Sequence, residues 1–193
     1  MPFLALPASA AWTHRDARQG FEVANFQQDK QGHLLTGCTT ALQDGLTWII
    51  DYEIRVDSGW TTRSAQVSSH STAGRRTVLL EHDGQGHWRL NGDAFRLLDG
   101  CLDVDLESSA MTNALPVHRL ALPTGGRSSA PAAYVRVDEL AVDRLEQEYV
   151  RIRSQEPQRR YDYSAPAFDF TSQLTYDQHG LVLLYPGIAI RAS

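Results

Sequence analysis

Apolar and polar residues alternate with a period of two along most of this chain. From Thr47 to Asp57, residues Trp48, Ile50, Tyr52, Ile54 and Val56 fall on one side, and Thr47, Asp51, Glu53, Arg55 and Asp57 mostly on the other. Eleven residues of that pattern predict a strand with one buried face. Similar runs recur at residues 20–28, 34–43, 60–70, 77–82, 133–139, 146–153, 161–164, 168–177 and 181–190. The spacers Asp29-Lys30-Gln31-Gly32, Asp44-Gly45, Asp83-Gly84, Asn91-Gly92 and His179-Gly180 supply the glycine that tight hairpins need. Helix is scarce: residues 138–143 suit one helical turn, after which Tyr149, Val150 and Ile152 favour strand. The segment 124–131, TGGRSSAP, reads as a surface loop and not as a boundary, since the strand pattern resumes at once. The expectation is an all-β single domain over residues 1–193, about a dozen strands in a closed or rolled antiparallel sheet that leaves few free edges.

One run differs in kind. Between Leu98 and Arg119, LDGCLDVDLESSAMTNALPVHR, the alternation sets Leu102, Val104 and Leu106 on one wall and Asp103, Asp105 and Glu107 on the other. Carboxylates two residues apart on a strand face lie roughly 7 Å from each other. The ordinary expectation is that such a wall faces water; the alternative is that it holds a cation, an arginine or a polyhydroxyl ligand. Pro116 presets its own backbone angle and biases Leu115 toward an extended conformation, so a reversal into a second strand is expected, carrying Asn113 and Arg119 back toward the carboxylates. Arg119 can then form a two-pronged pair with Asp103 or Asp105, which serves either a head group or the architecture.

Composition narrows the classes. With 193 residues the chain can bury roughly 70% of its unfolded surface. A net charge of −5 argues against a general nucleic-acid binder, and no apolar run approaches the roughly 20 residues of a membrane span. Positive charge is almost all arginine, with Lys30 the single lysine; the pairs Arg75-Arg76 and Arg159-Arg160 read as solvated surface. The start, MPFLALPASAAW, lacks a basic leader and a long apolar stretch, and reads as mature sequence. Cys38 and Cys101 read as reduced thiols, consistent with a cytoplasmic location. No histidine cluster, phosphate loop or nucleophile elbow is present, so neither metal nor cofactor is expected. Asp103 and Asp105 project from the same side and make a poor acid–base pair for a glycosidic bond unless a third carboxylate such as Glu81 completes it. Tryptophans and tyrosines in or beside strands, including Trp60, Trp88, Tyr163 and Tyr185, combine apolar area with a polar handle and suit an amphiphile.

Leu98-Asp99-Gly100-Cys101-Leu102-Asp103-Val104-Asp105-Leu106, then Thr112-Asn113, Leu115-Pro116 and Arg119, with Gly180-Leu181-Val182 and Tyr185-Pro186-Gly187 near the end, resemble the signature of the bacterial putative glycolipid-binding family. Ala110-Met111, Ala114, His118 and Ala189 depart from that family's pattern. The resemblance implies a spiral β-roll similar to the periplasmic lipoprotein carriers, and an amphiphilic small molecule, glycolipid or fatty acid, as partner. The expected ligand set is Trp60, Trp88, Asp103, Asp105, Thr112, Asn113, Arg119, Tyr163 and Tyr185. A hydrolase or transferase acting on such molecules, and a scaffold without a small ligand, remain the competing readings.

Overall fold

The computed structural model describes residues 2–137, 139–155 and 157–192. Strand makes up 56% and helix 8% of the described residues. The first eight strands are β1 (Ser9–His14), β2 (Gln19–Gln28), β3 (Gly32–Gln43), β4 (Leu46–Asp57), β5 (Thr62–Ser71), β6 (Gly74–His82), β7 (Trp88–Leu90) and β8 (Asp93–Ala94). Then come β9 (Asp103–Leu106), a 3₁₀ turn Met111–Asn113, α1 (Ala114–Leu120), β10 (Arg127–Ser129), β11 (Ala132–Val135) and β12 (Val142–Leu145). The chain closes with β13 (Glu148–Ile152), β14 (Arg159–Ala165), β15 (Phe170–Tyr176), β16 (Val182–Tyr185) and β17 (Ala189–Arg191).

Fourteen strands form one antiparallel sheet in the order β10-β13-β14-β15-β16-β17-β1-β2-β3-β4-β5-β6-β7-β8. The sheet does not close on itself: among the described residues β10 and β8 remain its edges. It is rolled instead around a second sheet, β12-β11-β9, together with α1. In that insert β9 runs parallel to β11 and pairs Asp103 with Ala132 and Asp105 with Tyr134. Both halves of the large sheet hold the insert. From β5, the Thr62 amide donates to the Leu102 carbonyl at 2.9 Å and the Thr62 hydroxyl accepts from the Val104 amide at 3.1 Å. From β3, the Thr39 hydroxyl donates to the Ser108 carbonyl at 3.0 Å. From β13, the Tyr149 hydroxyl donates to Asn113 Oδ1 at 3.0 Å, and from β15 Tyr176 donates to the Asn113 carbonyl at 3.2 Å.

The long strand of the sequence is β4, and its even-numbered face from Trp48 to Val56 is buried throughout. Asp44 and Gly45 both take positive φ, 51° and 78°, and join β3 to β4 by the two-residue turn whose twist matches the strands. Gly37 on β3 faces Tyr52 on β4. A Cβ at Gly37 would lie 2.3 Å from the Tyr52 ring and hydroxyl, so its absence lets Tyr52 reach across β3 and donate to Glu22 on β2 at 2.8 Å.

Several sequence expectations are corrected. The acidic wall of β9 does not face water, because the strand lies inside the roll with both faces covered: Asp103 is 1% and Asp105 9% exposed. Pro116 begins no second strand. It is the third residue of α1, within the first turn, where a missing N–H breaks no helical bond; the chain turns after the helix, at Ala121, with φ 44°. Residues 181–190 form two strands broken at Pro186-Gly187, and the loop 124–131 contains edge strand β10. No helical turn occupies 139–143: Glu139 and Leu140 take φ 56° and 54°, then β12 begins. Asp138, part of that expected turn, lies outside the described residues. Arg159 is buried rather than solvated, its guanidinium 3.7 Å above the Phe3 ring.

Candidate functional site

The roll carries two buried clusters. The larger unites the inner faces of β1 to β7 with Leu98, which precedes β9, and with Val104, Leu106, Met111 and Leu115 from β9 to α1, so the interior is filled. The second is rich in tyrosine: Tyr134, Tyr149, Tyr161, Tyr163, Tyr176 and Tyr185. A cavity of about 290 Å³ opens beside this second cluster. Tyr134 of β11, Tyr163 of β14, Phe168, Phe170 of β15 and Tyr185 of β16 line it, with Asp105 and Asn113 on the insert side. The rings are mutually braced: Tyr163 meets Tyr185 edge-on at 6.1 Å, Phe170 lies 6.0 Å from Tyr185, and Tyr134 lies 5.4 Å from Phe168. Edge-to-face and tilted packing at these separations fixes ring orientation as well as burying area.

Asp105 takes Thr112 Oγ1 at 2.9 Å on one oxygen and Gln147 Nε2 at 2.5 Å on the other. Burial nevertheless dominates and pushes its pKa up to about 6, with Asp103 and Glu107 adding to the rise and the Thr112 and Gln147 bonds opposing it. Asp103 is held differently. Arg119 of α1 donates to it through Nε at 3.0 Å and Nη2 at 2.6 Å, a fork-to-fork pair in which burial raises the carboxyl pKa and Arg119 pulls it down. Asn113 gives its side-chain oxygen to Tyr149 and so leaves its amide nitrogen as the donor available to the cavity.

Of the nine expected residues, Asp105, Asn113, Tyr163 and Tyr185 come together on this cavity, and Thr112 stands behind Asp105. Asp103 and Arg119 form their own pair along the same strand and helix. Trp88 belongs to the larger core, its indole donating to the Cys101 carbonyl at 3.0 Å. Trp60 lies in a separate hollow of about 640 Å³. There its ring is stacked at 3.7 Å on His118 and 4.6 Å from His33, and Phe3 covers the other side of His118 at 4.6 Å. Burial drives His118 down to about 3. Glu81 is exposed on the outer face of β6 and does not complete a carboxylate pair with Asp105. The sequence did not single out Arg18, Tyr134, Phe168 or Phe170, which arrive from separate segments. The last three fall in the alternating runs 133–139 and 168–177, the signal by which they could have been found, whereas Arg18 has none until the chain is folded.

A rolled antiparallel sheet enclosing a β–α insert, with an aromatic cavity beside it, defines the class. The family model described as putative glycolipid-binding matches residues 9–191, and the chain belongs to that family. Among solved structures it is similar to a DUF1089 family protein from Pseudomonas aeruginosa, at 30% identity and TM-score 0.73, covering all of this chain and 97% of that one. A β-barrel-like protein of the domain of unknown function DUF1849 from Brucella abortus aligns at TM-score 0.57 and 10% identity, over 98% of this chain and 95% of that one, a likeness of fold alone. No curated protein matches the chain. Among the described residues no helix is long and apolar enough to cross a membrane.

Proposed function

We propose that this protein binds the head group of a glycolipid-like amphiphile in the tyrosine-lined cavity. The observation that carries the reading is the convergence of five aromatic rings on one buried carboxylate and one amide, Asp105 and Asn113. Sugar rings present apolar C–H faces to aromatic surfaces and hydroxyls to acceptors and donors, and this cavity offers both kinds of partner. Its 290 Å³ suits one ring or head group rather than a whole lipid. A neighbouring cleft of about 390 Å³ shares Gln43 and Glu107 with it and adds Leu46, Trp48 and Val137, an apolar path for the tail. In this reading Asp105, Asn113, Tyr163 and Tyr185 touch the ligand, while Thr112, Asp103 and Arg119 position them.

Organic-solvent extraction of the purified protein followed by mass spectrometry tests the proposal, together with thermal melts against octyl glucoside and fatty acids. A ligand selective for the folded state adds about 2.7 kcal/mol at a hundredfold excess over its Kd. Tyr163→Ala is expected to abolish most of that stabilisation. A clean extract with no shift by any amphiphile would leave the scaffold reading in its place.

A further inference from the structure

Arg18 is built into the wall of the same cavity and, among the described residues, forms no ion pair. It sits in the β1–β2 turn, which is pinned to the β16–β17 turn by the Arg15 amide on the Ile188 carbonyl at 2.9 Å and the Ala17 amide on the Gly187 carbonyl at 3.1 Å. The residue is 8% exposed, lies 5.4 Å from the centre of the Trp48 ring and faces the cavity beside Tyr134 and Asp105. Among the described residues its guanidinium has one hydrogen-bond acceptor, the Glu107 main-chain oxygen at 2.6 Å from Nη2, and Nε is buried without one. The two carboxylates near it, Glu107 and Glu22, attract its charge at a distance but form no ion pair with it. Glu107 accepts from the Val137 amide at 2.8 Å, and Glu22 accepts from Tyr52, Ser109 and the Ala110 amide. Arg136, the other guanidinium on the lining, is exposed and already paired with Asp143 at 2.6 Å.

A guanidinium is a rigid fork matched to carboxylate and phosphate, and one this deeply buried is ordinarily paired. We propose that the ligand of this cavity carries an oxyanion, a phosphate or carboxylate, which Arg18 grips from the wall. The inference rests on the cavity reading above and narrows it to acidic amphiphiles. Asp105 fits beside such a group when it carries its proton, because it then donates rather than repels.

The test is calorimetric titration of the full chain with three probes: octyl phosphate and octyl glucoside, each below its micellar concentration, and inorganic phosphate. Octyl phosphate is expected to bind more tightly than octyl glucoside, with an affinity that falls as salt rises. Arg18→Gln is expected to weaken octyl phosphate about tenfold or more, the scale of one charge-assisted hydrogen bond, while leaving octyl glucoside within about twofold. Arg18→Lys, which keeps the charge and loses the fork, should fall between. Displacement of octyl phosphate by inorganic phosphate would mark a free oxyanion as sufficient; resistance to displacement would mark a lipid head group. If wild-type protein binds octyl glucoside but prefers it to octyl phosphate, the anion proposal falls and the cavity reading stands. If neither amphiphile binds, both fall. Should Arg18→Gln fail to fold, the wild-type preference between equal-length chains and its salt dependence decide the matter alone.

Discussion

Asp105→Asn removes the buried charge of the cavity carboxyl while keeping its shape and its hydrogen-bonding oxygen. Burial raises this carboxyl from 3.8 to about 6. A carboxyl raised by folding binds its proton more tightly in the folded chain, so its contribution is fully present below about pH 4 and is lost as pH rises through 6. The difference between those two values is about 2.2, and at 1.36 kcal/mol each the loss comes to about 3 kcal/mol. Asparagine carries no charge to desolvate. Its side-chain oxygen still accepts from Thr112, and Gln147 can turn its amide to accept from the new nitrogen, so the variant starts from an offset of about 1 kcal/mol at acid pH. Relative to wild type it should then gain about 1.4 kcal/mol per pH unit between pH 4 and 6 and level off above. Urea denaturation followed by the fluorescence of buried Trp12 and Trp88 measures this directly. A difference between the two proteins that stays constant from pH 4 to 8 would refute the raised Asp105 and the desolvation argument with it.

Arg119→Ala should cost about 3 to 5 kcal/mol in the same assay near neutral pH, because it strands the Asp103 carboxylate, 2% exposed, inside the roll; a loss below about 1 kcal/mol would show that the pair is effectively solvated. His14 runs opposite to Asp105: burial, aided by nearby Arg18, lowers its pKa from 6.5 to about 4, so stability is complete above 6.5 and falls with pH below it, by up to about 3 kcal/mol. His14→Phe should remove that acid limb, and an unchanged acid limb in the variant would assign it to other groups.

The strands legible in the sequence are those with one face in the core and one in water. β4 shows its period because Trp48 to Val56 pack inward while Asp51, Glu53 and Arg55 stay wet. Its turn was legible too, since Asp44-Gly45 can take two successive positive φ values. Strands of two or three residues, such as β7, β8, β10 and β17, are too short to display a period. β9 alternates like a half-exposed strand and yet lies wholly inside. What satisfies its acidic wall is Arg119, sixteen residues on, which the motif itself offered as a partner for Asp103 or Asp105, and the amide of Gln147, forty-two residues on, which no alternating pattern announces. Pro116 misled for a related reason: its local bias is the same before a strand and in the first turn of a helix, and the buried side chains of Ala114, Leu115 and Val117 decide for helix only once the roll exists.

Only half of the candidate site was readable in the sequence, because only half of it lies within single segments. Asp105 and Asn113 stand eight residues apart in one motif, so a single segment advertised them, and Tyr163 and Tyr185 were visible as aromatics at strand positions. The rest of the cavity is assembled by topology. β16 and β17 pair into a sheet that places β1 beside β17, and this adjacency carries the Arg18 turn against Ile188 and Gly187 at the cavity wall. A guanidinium in a turn between two strands is ordinary surface chemistry in the sequence. It becomes a candidate anion site only when the roll buries it and leaves its neighbours, Glu22 and Glu107, accepting from other donors without an ion pair to it. In the proposed site the apolar and hydroxyl-reading half falls on the insert and β14–β16, and the charge-reading half on the β1–β2 turn. Substitutions that loosen the grip of the sheet on the insert should therefore weaken anionic ligands through geometry, even where no contact residue has changed.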